Sequence, residues 1–213
     1  MRNNPVLDPH VEDGNGVPIS AIIFGGRRSN TMPLVFQAFD WEHGVYLGAT
    51  MASETTAAAT GAVGQVRRDP MAMLPFCGYN IGDYFRHWLE TGNRLTNPPL
   101  IFHVNWFRKD AGGQFLWPGF GDNMRVLKWI IDRCEGNGCA QESAIGHIPR
   151  AQDLDLDELS GVSPEQMREL LRVELDEWQT ELEGHAKFFE SLGGVVPDEL
   201  QKQREKLGRR LVQ

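Results

Sequence analysis

Apolar positions in the first two-thirds of the chain come in short runs. Ile19–Phe24, Leu34–Phe39, Val45–Thr50 and Leu100–Val104 are each apolar or alternating and are bounded by Gly, Pro or Asn, the pattern of short strands. Between the last two lies GYNIGDYFRHWLETG. There Ile81, Tyr84, Phe85, Trp88 and Leu89 recur at helical spacing, which predicts an amphipathic helix ending before Gly92. A second helix is predicted to start near Gly121-Asp122-Asn123, with Val126, Leu127, Ile130, Ile131 and Cys134 as its buried stripe and Gly136 as its stop.

From about residue 150 the vocabulary shifts to Glu, Leu, Gln, Lys and Arg, the residues of helices. Ser163-Pro164-Glu165-Gln166 has the form of an N-cap, a proline at the first helical position and a capping-box residue. Leu175, Trp178, Leu182, Phe189 and Leu192 supply an apolar face before Gly193-Gly194. Pro197 opens a last helix with Leu200, Leu207 and Leu211. These helices are expected to dock on the edge of the first half, and nothing in them calls for chemistry. The chain contains no internal repeat and no low-complexity tract.

Composition narrows the classes. With 41% apolar and 9% aromatic residues the chain can bury a substantial core. A net charge of −8 argues against a nucleic-acid or anionic-membrane partner, although a local basic pocket is compatible with it. Cys77, Cys134 and Cys139 make neither a disulfide framework nor a complete zinc site. The opening MRNNPVLDPHVEDG lacks the apolar core of a signal peptide, and no apolar stretch is long enough to span a bilayer. The expectation is a cytoplasmic monomer.

Three stretches could carry function. The strand-like run ending at Phe24 gives way to Gly25-Gly26-Arg27-Arg28. This is either a tight turn with solvated arginines or an anion clamp, in which glycines allow close approach and planar guanidinium forks meet phosphate or carboxylate. In VNWFRKDAGGQFLWPGFGDN, Phe107, Phe115, Trp117 and Phe120 sit among glycine, proline and polar residues. They are either the core under a long loop or rings presented for stacking on a planar base, with Asn123 at the following helix start able to read a base edge. Residues 49–76 contain a small, glycine-bearing middle that reads as a lid or as a plain surface loop. The sequence has no G-x-x-x-x-G-K-S/T phosphate loop and no His/Asp/Glu cluster at metal-ligand spacing.

VPISAIIFGGRR, SETTAAA, RRDPMAMLPFCGYNIGDYFRHWL and IFHVNWFRKDAGGQFLWPGFGDNMRVLKWI together resemble the C-terminal part of GTP-dependent phosphoenolpyruvate carboxykinase, from about Gly16 to the end. The resemblance implies an α/β fold with a mixed-sheet nucleotide-binding domain. Residues 1–15 are unassigned, 16–140 hold the guanine pocket and a lid at about 53–69, and 141–213 form a helical tail. It implies the reaction of oxaloacetate with GTP to give phosphoenolpyruvate, CO₂ and GDP, with manganese (Mn2+) and magnesium (Mg2+) as cofactors. On this resemblance Arg27 and Arg28 contact the transferring phosphate, Phe107, Phe115 and Phe120 enclose the guanine, and Asn123 helps to recognise it. Ser53, Glu54, Thr55, Thr56 and Ala57 belong to the lid.

Three positions depart from the family pattern. Ser29 stands where proline is usual, which predicts a looser turn; Asp122 replaces Glu; and Met124 replaces Ser. The family's phosphate loop, metal ligands and oxaloacetate-binding arginines are not among the matched stretches. The expectation is therefore a C-terminal portion that does not catalyse the reaction alone and is poorly soluble in isolation. The alternative is a non-catalytic protein that binds GTP or a partner.

Overall fold

The computed structural model describes residues 3–56 and 62–212. In chain order its elements are β1 (Ala21–Gly25), β2 (Val35–Gln37), α1 (Trp41–Thr50), β3 (Ala52–Glu54), β4 (Val66–Arg68) and α2 (Ile81–Arg94). Then follow β5 (Leu100–Val104), α3 (Asn123–Cys134), β6 (Gln141–Ser143), β7 (Gly146–Ile148), α4 (Pro164–Leu171), α5 (Leu175–Ser191) and α6 (Asp198–Arg210). This is the expected α/β fold with a mixed sheet. The strand order is β1-β5-β2-β7-β6, with β1 parallel to β5 and the other pairings antiparallel, while β3 and β4 form a separate hairpin.

Alternation along the central strands divides two cores. Ile101 of β5 and Phe36 of β2 face a core shared with α1, α2, α5 and α6, whereas Phe102, Val104 and Val35 face one shared with α3 and α4. Being covered on both faces, β5 reads as a nearly continuous apolar run rather than an alternating one. The edge strand β1 leaves Ile23 partly exposed.

The stretch Val45–Thr50, expected as a strand, is instead the second half of α1. Asp40 caps that helix by accepting from the His43 N–H at 2.7 Å. Every residue from His43 to Thr50 is buried, so no polar face marks a helical period. Gly44 and Gly48 let α1 lie against the side chains of Ile101 and Phe24. Helix α2 runs through Gly92 to Arg94 rather than stopping before it, and Gly92 leaves room for the Trp41 indole. In α3, Trp129 takes the buried position beside Val126 and Ile130, while Ile131 is 53% exposed.

Residues 141–148, placed in the helical tail by the sequence reading, form a hairpin that extends the main sheet through β7 and β2. The capping box at Ser163 and Gln166 is present with both hydrogen bonds. Leu200, Leu207 and Leu211 of the last helical stretch are buried as expected.

Candidate functional site

The strand β1 ends against the hairpin. A Cβ on Gly26 would collide with the carbonyl oxygen of Ala52 at the start of β3, so the glycine's close approach serves the protein's own backbone. The turn that follows is clamped by Asn105, which is fully buried. Its Oδ1 accepts from the Arg28 N–H at 3.2 Å, and its Nδ2 donates to the carbonyls of Arg28 and Met32 at 2.9 and 3.0 Å.

The two arginines then part. Arg28 points inward, is 3% exposed, and gives both terminal nitrogens to the carboxylate of Glu181 on α5 at 2.9 and 2.8 Å. Arg27 points outward, with its guanidinium carbon 5.0 Å from the Phe107 ring centroid. Among the described residues Arg27 makes no ion pair. A shallow cavity of about 230 Å³ opens beside it, lined by Gly25, Gly26, Ser53, Val104, Trp106 and Phe107.

The hairpin is tied to this turn. The Arg27 N–H donates to Ser53 Oγ at 3.1 Å, and the Glu54 N–H donates to the Arg27 carbonyl at 2.8 Å. The Ser29 N–H and hydroxyl both donate to Glu54 Oε1, at 2.8 and 2.7 Å. Ser29, expected to loosen the turn in place of proline, instead fastens it, because it supplies two donors that proline lacks. Thr55 closes the stem by exchanging backbone bonds with Gln65 and Gly64, and its hydroxyl donates to the Ala62 carbonyl at 2.6 Å. Thr56 follows at the end of the described stem, and Ala57 lies outside the described residues.

The rings divide as well. Phe107 and Phe115 meet edge to face at 6.0 Å, and the Lys109 ammonium lies 5.1 Å from the Phe115 centroid. Phe115 is 57% exposed and Phe120 is 95% exposed. Phe120 follows Gly119 (φ 76°) and itself has φ 50°, a left-handed conformation that costs a non-glycine residue. It stacks on no other ring among the described residues. Trp117 is buried and is core, as one of the two sequence readings had it. Asn123 opens α3 and accepts from the Trp117 indole N–H at 2.8 Å.

Behind Arg28 lies a polar knot that the sequence reading missed. Arg68 of β4 donates through one nitrogen to Glu181 at 2.5 Å and to the Thr50 carbonyl at 2.9 Å. His185, one helical turn beyond Glu181, places Nε2 3.5 Å from the same carboxylate and Nδ1 2.7 Å from the Tyr46 hydroxyl. Burial pushes the Glu181 carboxyl upward, but the opposing groups around it, foremost the His185 ring and the Arg28 guanidinium, hold it far below the usual carboxylate range. At 3.5 Å the His185 contact is too long for a well-formed hydrogen bond, so the shorter arginine contacts account for most of that depression. Burial raises the Tyr46 hydroxyl's pKa and lowers that of His185. The Tyr46 hydroxyl and Nδ1 thus share a hydrogen bond between two neutral groups, and Nε2 is the ring nitrogen that faces Glu181. One signal for this knot was available: Glu181 and His185 interrupt the buried stripe of α5 between Trp178 and Phe189.

Among the described residues no group of three or more His, Cys, Asp or Glu side chains is arranged to hold a metal ion. No helix among the described residues is long and apolar enough to cross a membrane.

Residues 1–210 match the family model of the phosphoenolpyruvate carboxykinase C-terminal P-loop domain, the GTP-dependent type. The chain is 59% identical over 210 residues to phosphoenolpyruvate carboxykinase [GTP] of Anaeromyxobacter sp. (strain K), a match covering 99% of the chain and 35% of that protein. It is 53% identical over 211 residues to the Thermoplasma volcanium protein of the same name (99% and 35%), and 51% identical over 208 residues to that of Renibacterium salmoninarum (97% and 34%). The chain thus spans about a third of the length of the curated relatives it matches.

Proposed function

The chain belongs to the GTP-dependent phosphoenolpyruvate carboxykinase family, and from that premise we propose that its exposed rings, Asn123 and Arg27 hold a guanine nucleotide. The placing of Arg27 carries this reading. Its guanidinium lies over Phe107 at the mouth of the cavity beside Ser53, so one side chain can follow a stacked base and meet the phosphate behind it. Phe115 and Phe120 offer exposed faces for the base, and Ser53 of the hairpin stem lines the cavity beside Arg27.

In the whole reaction the nucleotide is GTP, the carbon substrate is oxaloacetate, and the products are phosphoenolpyruvate, CO₂ and GDP, in the cytoplasm. Decarboxylation leaves an enolate whose oxygen takes the γ-phosphoryl group, a transfer governed by positioning and charge neutralisation. Arg27 offsets charge on the phosphates, and the hairpin helps to exclude water. Of the arginine pair we assign the phosphate to Arg27, because the terminal nitrogens of Arg28 are already committed to Glu181. The sequence contains no G-x-x-x-x-G-K-S/T, so these 213 residues alone are assigned nucleotide binding without turnover.

Calorimetric titration of the purified chain tests this. GTP and GDP are expected to bind more tightly than ATP, and Arg27→Met is expected to weaken GTP while leaving guanosine unchanged. Equal affinity for GTP and ATP, or no binding of either, would overturn the reading.

A further inference from the structure

We infer that Glu181 is a positioning residue that fixes the Arg27 turn and the β3–β4 stem against each other through Arg28 and Arg68. This rests on the nucleotide reading for its consequence, though not for its geometry.

Three segments far apart in sequence converge on one carboxylate. Arg28 comes from the turn after β1, Arg68 from the return strand of the hairpin, and Glu181 from the second turn of α5. Glu181 is itself buried, with both oxygens used: Oε2 takes Arg28, and Oε1 takes Arg28 and Arg68 together. Two buried or nearly buried guanidiniums on one carboxylate leave the knot net positive. Neither cation has another carboxylate within ion-pair distance among the described residues. Such a carboxylate holds both arginines, because releasing either strands a desolvated charge.

The consequence follows from chain order. Arg27 is the neighbour of Arg28, so an anchored Arg28 fixes the backbone from which Arg27 reaches outward, a role Asn105 completes from the other side. Arg68 pairs with Ala52 across the hairpin, and the same nitrogen that meets Glu181 also meets the Thr50 carbonyl, where α1 passes into β3. The base of the stem is thereby pinned to the carboxylate that pins the turn. Gly184 makes room for this: a Cβ there would strike the Arg68 guanidinium. His185 and Tyr46 close the knot from behind, hydrogen-bonded to each other as neutral groups.

Arg68 is the informative position to change, because its side chain keeps some exposure and its loss leaves the Arg28–Glu181 pair intact. In Arg68→Met, amide hydrogen exchange is expected to quicken at least tenfold in peptides covering 52–56 and 62–69. It should quicken also in 26–31, with β5 and α3 unchanged. Arg68→Lys should restore most of the protection. By titration the same Arg68→Met chain should bind GTP three- to tenfold more weakly while guanosine affinity holds, since the misplaced group is the phosphate contact. Faster exchange confined to α5, or no change at the turn, would overturn the inference. So would equal weakening of GTP and guanosine, which marks general loosening. If the unaltered chain binds neither ligand, the nucleotide reading fails and the exchange arm alone decides the coupling.

Discussion

The indole N–H of Trp117 donates to the side-chain oxygen of Asn123 at 2.8 Å. An indole can only donate, so this bond fixes the amide's orientation and leaves Nδ2 as the group Asn123 offers a ligand. A donor at that place suits a base with an oxygen on its edge and meets a second donor if the base carries an amino group there. Asn123→Asp keeps the acceptor for Trp117 and turns the outward group into an acceptor. The preference for GTP over ATP should then fall by about tenfold, the worth of one well-placed hydrogen bond of about 1.4 kcal/mol. Paired titrations with the two nucleotides measure it, and unchanged selectivity would remove Asn123 from base recognition.

Phe120 separates binding from folding. Its ring is 95% exposed, packs on no other ring and sits on left-handed backbone. Phe120→Ala should therefore change stability by no more than about 0.5 kcal/mol, yet weaken guanine-nucleotide binding by about one order of magnitude, since a base stacked on an aromatic ring gains roughly 1–3 kcal/mol. Trp117→Ala, in the core, should instead cost about 3–5 kcal/mol of stability. Denaturant titration and calorimetry on both variants check the contrast, and equal stability losses would contradict it.

How much of this was legible depends on what each residue faces. The helices α2, α3, α5 and α6 could be read because one side of each keeps a polar record, and the strands β1, β2 and β5 because each lies in a short apolar run bounded by Gly, Pro or Asn. Helix α1 could not: its second half is buried all round, and a stripe without an opposite face has no period. The hairpin β3–β4 and strands β6 and β7 are three residues each and too polar to register as apolar runs. At the site, Arg27 and Arg28 look identical in sequence. Only the buried Glu181, 153 positions away, assigns one inward and leaves the other outward. Long-range ion pairing leaves no local pattern, although an acid and a histidine on the apolar stripe of α5 were visible signs that something polar lay beneath.

Gly26 gives a steric test of how turn and hairpin fit. A methyl group there meets the Ala52 backbone carbonyl, which cannot rotate away as a flexible side-chain tip could. Gly26→Ala should cost about 2–4 kcal/mol and loosen the β3–β4 stem. Gly14→Ala, with open space around the added carbon, should be nearly silent. Urea midpoints for the two variants are the measurement. If Gly26→Ala proves as mild as Gly14→Ala, the turn does not lie against β3 as described.

Stability should fall as the solution is acidified well before carboxylates titrate, because of the histidines. His43 is buried, its Nδ1 accepts from the Phe39 N–H at 3.1 Å, and burial, with Arg210 and Lys206 nearby, pushes its pKa from 6.5 down to about 3. His103 is buried against Phe36, and burial together with Arg28 lowers its pKa to about 4. Both stay neutral when folded and take up a proton when unfolded, so below pH 6.5 the unfolded state binds more protons and gains ground. The contribution is whole above pH 6.5 and is lost progressively down to the folded values. At pH 5 each imidazole should have removed about 2 kcal/mol, at 1.36 kcal/mol per pH unit. Burial shifts His185 the same way, which adds to the loss. Glu181, held far below the usual range, remains ionised at pH 5 and takes no part. Urea unfolding at pH 8, 6.5 and 5 should show a flat upper limb and then a steep decline. His103→Phe, which keeps a ring against Phe36, should make that decline shallower. A midpoint unchanged between pH 8 and pH 5 would mean that these imidazoles are not held neutral in the core.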